Sequence, residues 1–196
     1  MARPRKEDAG KARQSLIDAF WSLLAEMPYS KIGVRALSQR AHVNHNTFYR
    51  HFDNIDDLAK KAFTDILPAS IPSLISVFIR EGQTDSLSYF DQESFQLYVH
   101  RARLFVHSGS LYLTTIIQDS LKNVWLNYLK ADESQLTDQE KLELNFMLGG
   151  FIATMQTNGG TIDSQFIGNL LSLPLYRTAV ASILQIGARI SGSSAN

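Results

Sequence analysis

The sequence predicts an all-α fold. Apolar residues recur at three- and four-residue intervals through most of the 196 positions, and no period-2 alternation of useful length interrupts them. Each periodic stretch is also bounded by Pro, Gly or a polar capping residue, as helices are. The hydrophobic content of 44% suits a folded core, in a chain long enough for one large or two small domains.

A first helix is expected from about Ala9 to Met27, because Leu16, Phe20, Leu23, Leu24 and Met27 form one apolar stripe and Pro28 stops it. Short second and third helices are expected over Val34–Ala41 and His45–His51. Asp53 and Asn54 offer a cap for a fourth from about Asp56. Pro68 and Pro72 break the pattern, which resumes over Leu74–Arg80, and the polar Glu81–Asp91 reads as a loop. Helices are then expected over Gln92–His107, Gly109–Lys130 and Asp138–Met155, the last closed by Asn158-Gly159-Gly160. Ser164–Arg189 completes the series, with Pro174 near a helix start. In domain terms, residues 1–8 form a flexible basic arm, 9–55 a helix-turn-helix domain, 56–190 a regulatory and dimerisation domain, and 191–196 a frayed tail.

The formal net charge is +0, but its distribution is uneven: residues 1–61 hold 11 Lys+Arg against 7 Asp+Glu, and the remainder is acidic. A basic N-terminal quarter suits a surface that meets phosphates, although a solvated basic tail would look the same. There is no cysteine, which excludes disulfides and thiolate chemistry. The first residues lack the apolar run of a secretory signal, and no stretch approaches the ~20 apolar residues of a membrane span. A cytoplasmic protein without membrane association is expected.

The stretch from Val34 to Phe52 is the most informative. Leu37 and Ala41 face inward from one short helix, Val43 fills the turn, and Phe48 and Phe52 bury the inner face of the next. Asn44 is a good N-cap. His45, Asn46, Thr47, Tyr49, Arg50 and His51 then remain to face outward or sideways. These side chains donate to phosphates or bond to base edges, where a water-facing helix more often shows Glu and Lys. A small helical hairpin with a mixed polar surface fits the same periodicity.

From Ala19 to Ala62 the chain resembles the DNA-binding domain of the TetR family of bacterial transcriptional regulators. The residues that carry the resemblance are Val34-Arg35-Ala36-Leu37, Ala41, Val43, Thr47-Phe48-Tyr49, His51-Phe52 and Asp57-Leu58. It implies a ligand-responsive repressor that binds a near-palindromic double-stranded DNA operator as a homodimer. It further implies phosphate contacts from Thr47 and Tyr49, base readout by His45 and Asn46, and contacts to either from Arg35 and Arg50. Three positions depart from the family pattern. Gly33 stands where Thr or Ser is usual, His42 where the turn Gly is usual, and Ile55 where a Lys commonly starts the fourth helix. Fewer ionic contacts are therefore expected from the domain itself, and more from the arm residues Arg3, Arg5 and Lys6.

The resemblance also implies a dimer made by the last two long helices. Phe146, Gly149, Gly150 and Ala153 form one stripe for it and Ala179 and Ile183 belong to another, although both stripes could pack inside one subunit. A small-molecule inducer would sit among the aromatic-rich middle helices, with Tyr98, His100, Phe105, Gln118 and Trp125 as candidate pocket residues, against the reading of a plain hydrophobic core. No cofactor is implied. His100 and His107 lie two turns apart, but neither has an Asp or Glu at i+3 or i+4, and no catalytic motif is present, so neither a metal site nor an enzyme is expected. The competing function is an all-α dimeric binding module that acts through a protein partner, with DNA binding weak or vestigial.

Overall fold

The computed structural model describes residues 6–64, 68–82 and 84–193, and among them there is helix but no strand. The chain divides into two compact units, Met1–Ile66 with Leu104–Ile116, and Leu67–Arg103 with Ile117–Asn196.

The first unit holds α1 (Lys6–Glu26), a 3-10 turn at Tyr29–Lys31, α2 (Val34–Arg40), α3 (His45–Tyr49) and α4 (Ile55–Thr64). Helix α1 buries Leu16, Phe20, Leu23 and Leu24 against the other three, which contribute Leu37, Phe48, Phe52, Leu58 and Phe63. Leu104–Ile116 spans the end of α6 (Glu93–His107) and the start of α7 (Leu111–Leu129). From it comes Phe105, fully buried, which stacks on Phe63 at 4.9 Å and Trp21 at 5.1 Å and meets Phe20 edge-on at 6.1 Å. Interlocked rings of this kind add specific geometry to the area they remove from water.

The second unit holds α5 (Ile71–Glu81), a 3-10 stretch at Thr84–Asp91, the larger parts of α6 and α7, a 3-10 turn at Glu133–Gln135, α8 (Asp138–Thr157), α9 (Ser164–Ser172) and α10 (Pro174–Ser193). Capping explains several boundaries. Thr137 and Glu140 form a reciprocal capping box at the start of α8, and Asp163 accepts from the Phe166 N–H at the start of α9. Gly82 ends α5 with φ 66°, a left-handed conformation that glycine adopts without steric cost.

Three elements differ from the sequence reading. Helix α5 begins at Ile71 rather than Leu74, because Pro72 lies in its first turn, where no intrahelical N–H is required. Glu81–Asp91, expected as a loop, is mostly 3-10 helix with Leu87 and Phe90 buried. Ser164–Arg189 is two separate helices rather than one stretch, the second starting at Pro174 as expected; they are bent by 84° at their junction, where Leu173 is extended. Among the described residues no single helix is long and apolar enough to cross a membrane.

Candidate nucleic-acid interface

Helices α2 and α3 and the turn between them build the presenting surface. Gly33 caps α2 through extended backbone alone, with no side-chain hydrogen bond. His42 then takes φ 54°, so a non-glycine residue occupies the left-handed position of the turn. Asn44 caps α3: its Oδ1 accepts from the Asn46 N–H at 2.9 Å. Phe48 anchors the underside of α3, fully buried, and Leu37 does the same for α2.

With those anchors in place, the opposite face of α3 is polar and open. Asn44, His45, Asn46 and Arg50 are exposed, Thr47 is half-buried, and the Tyr49 side chain is 54% exposed. The His45 ring meets the Tyr49 ring edge-on at 5.3 Å, which holds the two together on this surface. Arg35 is exposed on α2. Arg40 is engaged elsewhere, in a two-nitrogen ion pair with Glu26 at 2.8 and 2.7 Å. Arg3 and Arg5 of the expected arm lie outside the described residues, and Lys6 is the first residue of α1.

The N-terminus of α4 is capped by nearby side chains. Asn54 Oδ1 accepts from the Asp57 N–H at 2.8 Å, and Asp57 Oδ2 accepts from the Asp53 N–H at 3.1 Å and from Lys61 Nζ at 2.8 Å. The Lys61 hydrogen bond, joined by that from the Asp53 N–H, holds the Asp57 carboxyl below its usual range against the opposing effect of burial. Asp56 accepts from the Tyr29 hydroxyl. With Ile55 at the first position, the first turn of this helix carries two carboxylates, Asp56 and Asp57, which suit the positive end of the helix dipole.

The second unit contains a cavity with about 40 Å³ of open space. Tyr98 and Trp125 line it; His100 is exposed, Gln118 is half-buried and outside the lining, and Phe105 belongs to the core of the first unit. Three of the five expected pocket residues are therefore elsewhere. His100 and Gln118 fail because they fall on the other faces of their helices, and Phe105 because α6 passes from one unit into the other. The sequence reading missed Phe151, Met155 and Tyr176 of the lining, having assigned α8 and α10 to dimerisation. The signal was available in the Leu148, Phe151, Met155 spacing, a second apolar face on α8.

The two apolar stripes separate as well. On α8, Leu142 is 71% and Phe146 62% exposed, Gly150 and Ala153 are exposed, and Gly149 is half-buried. A Cβ placed on Gly149 or Gly150 would meet no atom within 4 Å. On α10, Ala179 is half-buried but Ile183 is fully buried inside the subunit, and Ile186 and Ile190 are buried. From Ile183 onward that stripe faces the neighbouring helices of its own unit, so Ile183 does not lie on an outer surface, whereas Leu175 at the start of the stripe is 69% exposed.

The sequence model of the bacterial regulatory proteins of the tetR family matches residues 16–62. No protein of curated function matches the sequence. Among solved structures, the chain is similar to a TetR transcriptional regulator from Streptococcus agalactiae 2603V. That match covers 90% of this chain and 96% of the other at 18% identity, with a TM-score of 0.51. The TetR family repressor AlkX from Dietzia sp. strain DQ12-45-1b, implicated in biodegradation of n-alkanes, is matched over 92% of this chain and 95% of its own at 16% identity, with a TM-score of 0.33.

Proposed function

Since the chain belongs, through residues 16–62, to the tetR family of bacterial regulatory proteins, we propose that this DNA-binding transcriptional regulator is a homodimeric, ligand-responsive repressor of a near-palindromic operator. The observation that carries the DNA reading is the outer face of α3: four exposed polar residues on a capped helix whose opposite side is locked by Phe48. His45 and Asn46 read base edges in the major groove, Thr47 and Tyr49 bond to phosphates, and Arg35 and Arg50 reach either. Asn44 sets the direction of the helix.

A dimer is supported by the exposed stripe of α8. Two glycines in mid-helix cost about 1 kcal/mol each relative to alanine, and nothing within the subunit needs them. A second copy crossing at Gly149 and Gly150 uses that absence of side chains and covers Leu142 and Phe146. Ligand response is supported by the apolar cavity of the second unit, because α6 and α7 line it through Tyr98 and Trp125 and continue into the unit that holds α3. A ligand that favours one arrangement of those helices shifts the population away from the DNA-competent state.

A mobility shift with duplex DNA from immediately upstream of the gene tests the DNA reading. Wild type is expected to retard the fragment, and Thr47→Ala and Tyr49→Phe to weaken the complex. Absence of any shift at micromolar protein would favour the module acting through a protein partner.

A further inference from the structure

The cavity of the second unit has walls of an unusual uniformity. Its aromatic residues are Phe90, Phe95, Tyr98, Trp125, Phe151 and Tyr176, drawn from the 3-10 stretch, α6, α7, α8 and α10, and the rest are aliphatic apart from Met155. Among the described residues, no Asp, Glu, Lys, Arg or His lines it. The hydrogen-bonding groups that these side chains carry are two phenol hydroxyls and one indole N–H, all uncharged. Burial pushes both the Tyr98 and the Tyr176 phenol upward from their ordinary value, so both stay protonated through the physiological range.

We propose that this cavity takes a small, uncharged aromatic or alicyclic ring compound bearing one hydroxyl, carbonyl or similar group, and selects against any ligand that carries a formal charge. The proposal rests on the reading of this cavity as the regulator's ligand site and specifies what that site accepts. The physical reason is desolvation. An ion moved from water into such a lining finds no opposite charge, and its hydration is not replaced. A neutral ring loses nothing comparable and gains edge and face contacts with six aromatic side chains. One polar group on the ligand can be met by a tyrosine hydroxyl or the indole N–H. The size of the site sets a second condition. A buried water needs about 10–15 Å³ of such space, so the cavity holds about three waters as it stands, and a ring compound enters by displacing part of the wall. Ile75, Phe151, Leu170 and Tyr176 are half-buried whereas the other lining residues are buried, which places the yielding side between α5, α8, α9 and α10.

The test is titration of the full-length protein with three probes that share one ring system and differ in charge: 2-naphthol, 2-naphthoate and 2-naphthylmethylammonium. Binding is read by calorimetry and by the rise in melting temperature. At pH 7.5 the alcohol is expected to bind at least about tenfold more tightly than either ion. The affinity for 2-naphthoate is expected to rise as pH falls toward its pKa, since the neutral acid is the form that enters. Leu148→Trp, which fills the cavity, is expected to abolish 2-naphthol binding with helicity retained. Tyr98→Phe is a milder variant, expected to weaken 2-naphthol while leaving naphthalene unaffected. Equal or tighter binding of either ion, failure of all three probes at millimolar concentration, or undiminished binding to a folded Leu148→Trp protein would overturn the proposal. If the probes follow the expected order and operator affinity does not change, the ligand class stands and the ligand-responsive repressor falls. Loss of DNA binding altogether in the absence of probes would fall on the DNA reading alone.

Discussion

The Tyr112 hydroxyl donates to the main-chain carbonyl of Asp56 at 3.2 Å. Asp56 also accepts, through its carboxylate, from the hydroxyl of Tyr29. Two phenols, one from the turn after α1 and one from the first turn of α7, thus converge on the first turn of α4. Tyr112→Phe removes a single exposed hydrogen bond, and should cost about 0.5–1 kcal/mol of stability by urea denaturation. Operator affinity without ligand should change less than threefold. If α7 transmits the ligand response, the release of DNA by ligand should be blunted; full release in Tyr112→Phe would remove this bond from the mechanism.

Phe105 is a ring with a far larger expected effect. It is fully buried among Phe20, Trp21 and Phe63, and truncation to alanine should cost about 3–5 kcal/mol. Phe105→Ala should accordingly lose DNA binding at elevated temperature even though the residue lies far from α3 in sequence. Melting followed by circular dichroism beside a mobility shift checks both effects.

Ile55→Lys is a gain-of-function test. The first turn of α4 is occupied by Asn54, Asp56 and Asp57, and no cation leads it. A lysine there adds one phosphate contact, so operator affinity should rise at low salt. The slope of log affinity against log salt should then steepen by about 0.9, the value expected for one neutralised phosphate. An unchanged slope would mean that this helix end does not approach the backbone.

The α8 stripe predicts an oligomer that one substitution breaks. Gly150→Leu places a bulky side chain where a Cβ meets nothing within the subunit, so the monomer should remain folded. Phe146→Glu removes an exposed apolar ring. Both variants should sediment as monomers at concentrations where wild type is dimeric, and both should lose cooperative operator binding. A wild-type protein that is itself monomeric at micromolar concentration would end the dimer reading.

Acid should loosen the α8–α10 pairing. Arg189 donates to both Glu140 oxygens, at 2.9 and 2.8 Å, and holds that carboxyl below its ordinary value of 4.5. A carboxyl whose folded value is depressed contributes stability that is complete above the unfolded value and is lost as pH falls below 4.5 through the folded one. Glu140→Gln keeps an acceptor for the capping box but not the charge. It should be less stable than wild type at pH 7, with the gap closing as pH falls below 4.5. Glu143, lowered chiefly by the Ser182 hydroxyl, is raised by the neighbouring Glu140 charge, so loss of that charge in Glu140→Gln lowers Glu143 further and its titration is part of the difference. A gap independent of pH would show that the ion pair contributes nothing to stability.

Much of this was legible in the chain. The all-α class and the helix-turn-helix followed from local signals, namely the Leu37/Ala41 and Phe48/Phe52 spacings and the Asn44 cap, because local spacing decides which face of a short helix is buried. What escaped was set by tertiary contacts. Phe105 looks like its aromatic neighbours in α6, and nothing within the helix says that it crosses into another core. Ile183 and Phe146 are both apolar and both in stripes, yet one is fully buried and the other largely exposed. Periodicity shows that a face is apolar, not which neighbour covers it. His100 is a polar residue within an apolar helix pattern, which suggests a pocket, whereas its position directly after the buried Tyr98 and Val99 turns it outward.

The unit that presents α3 is discontinuous: it takes Leu104–Ile116 from the far side of a long insertion. Its core therefore cannot be completed as the N-terminus leaves the ribosome. At about 5–20 residues per second, the chain between the two pieces takes several seconds to synthesise, and until then Phe20, Trp21 and Phe63 wait for the ring that seals them. During that interval those three rings lack the partner that covers them in the folded unit. For the same reason a fragment ending after α4 should be an aggregation-prone polypeptide rather than a miniature DNA-binding protein.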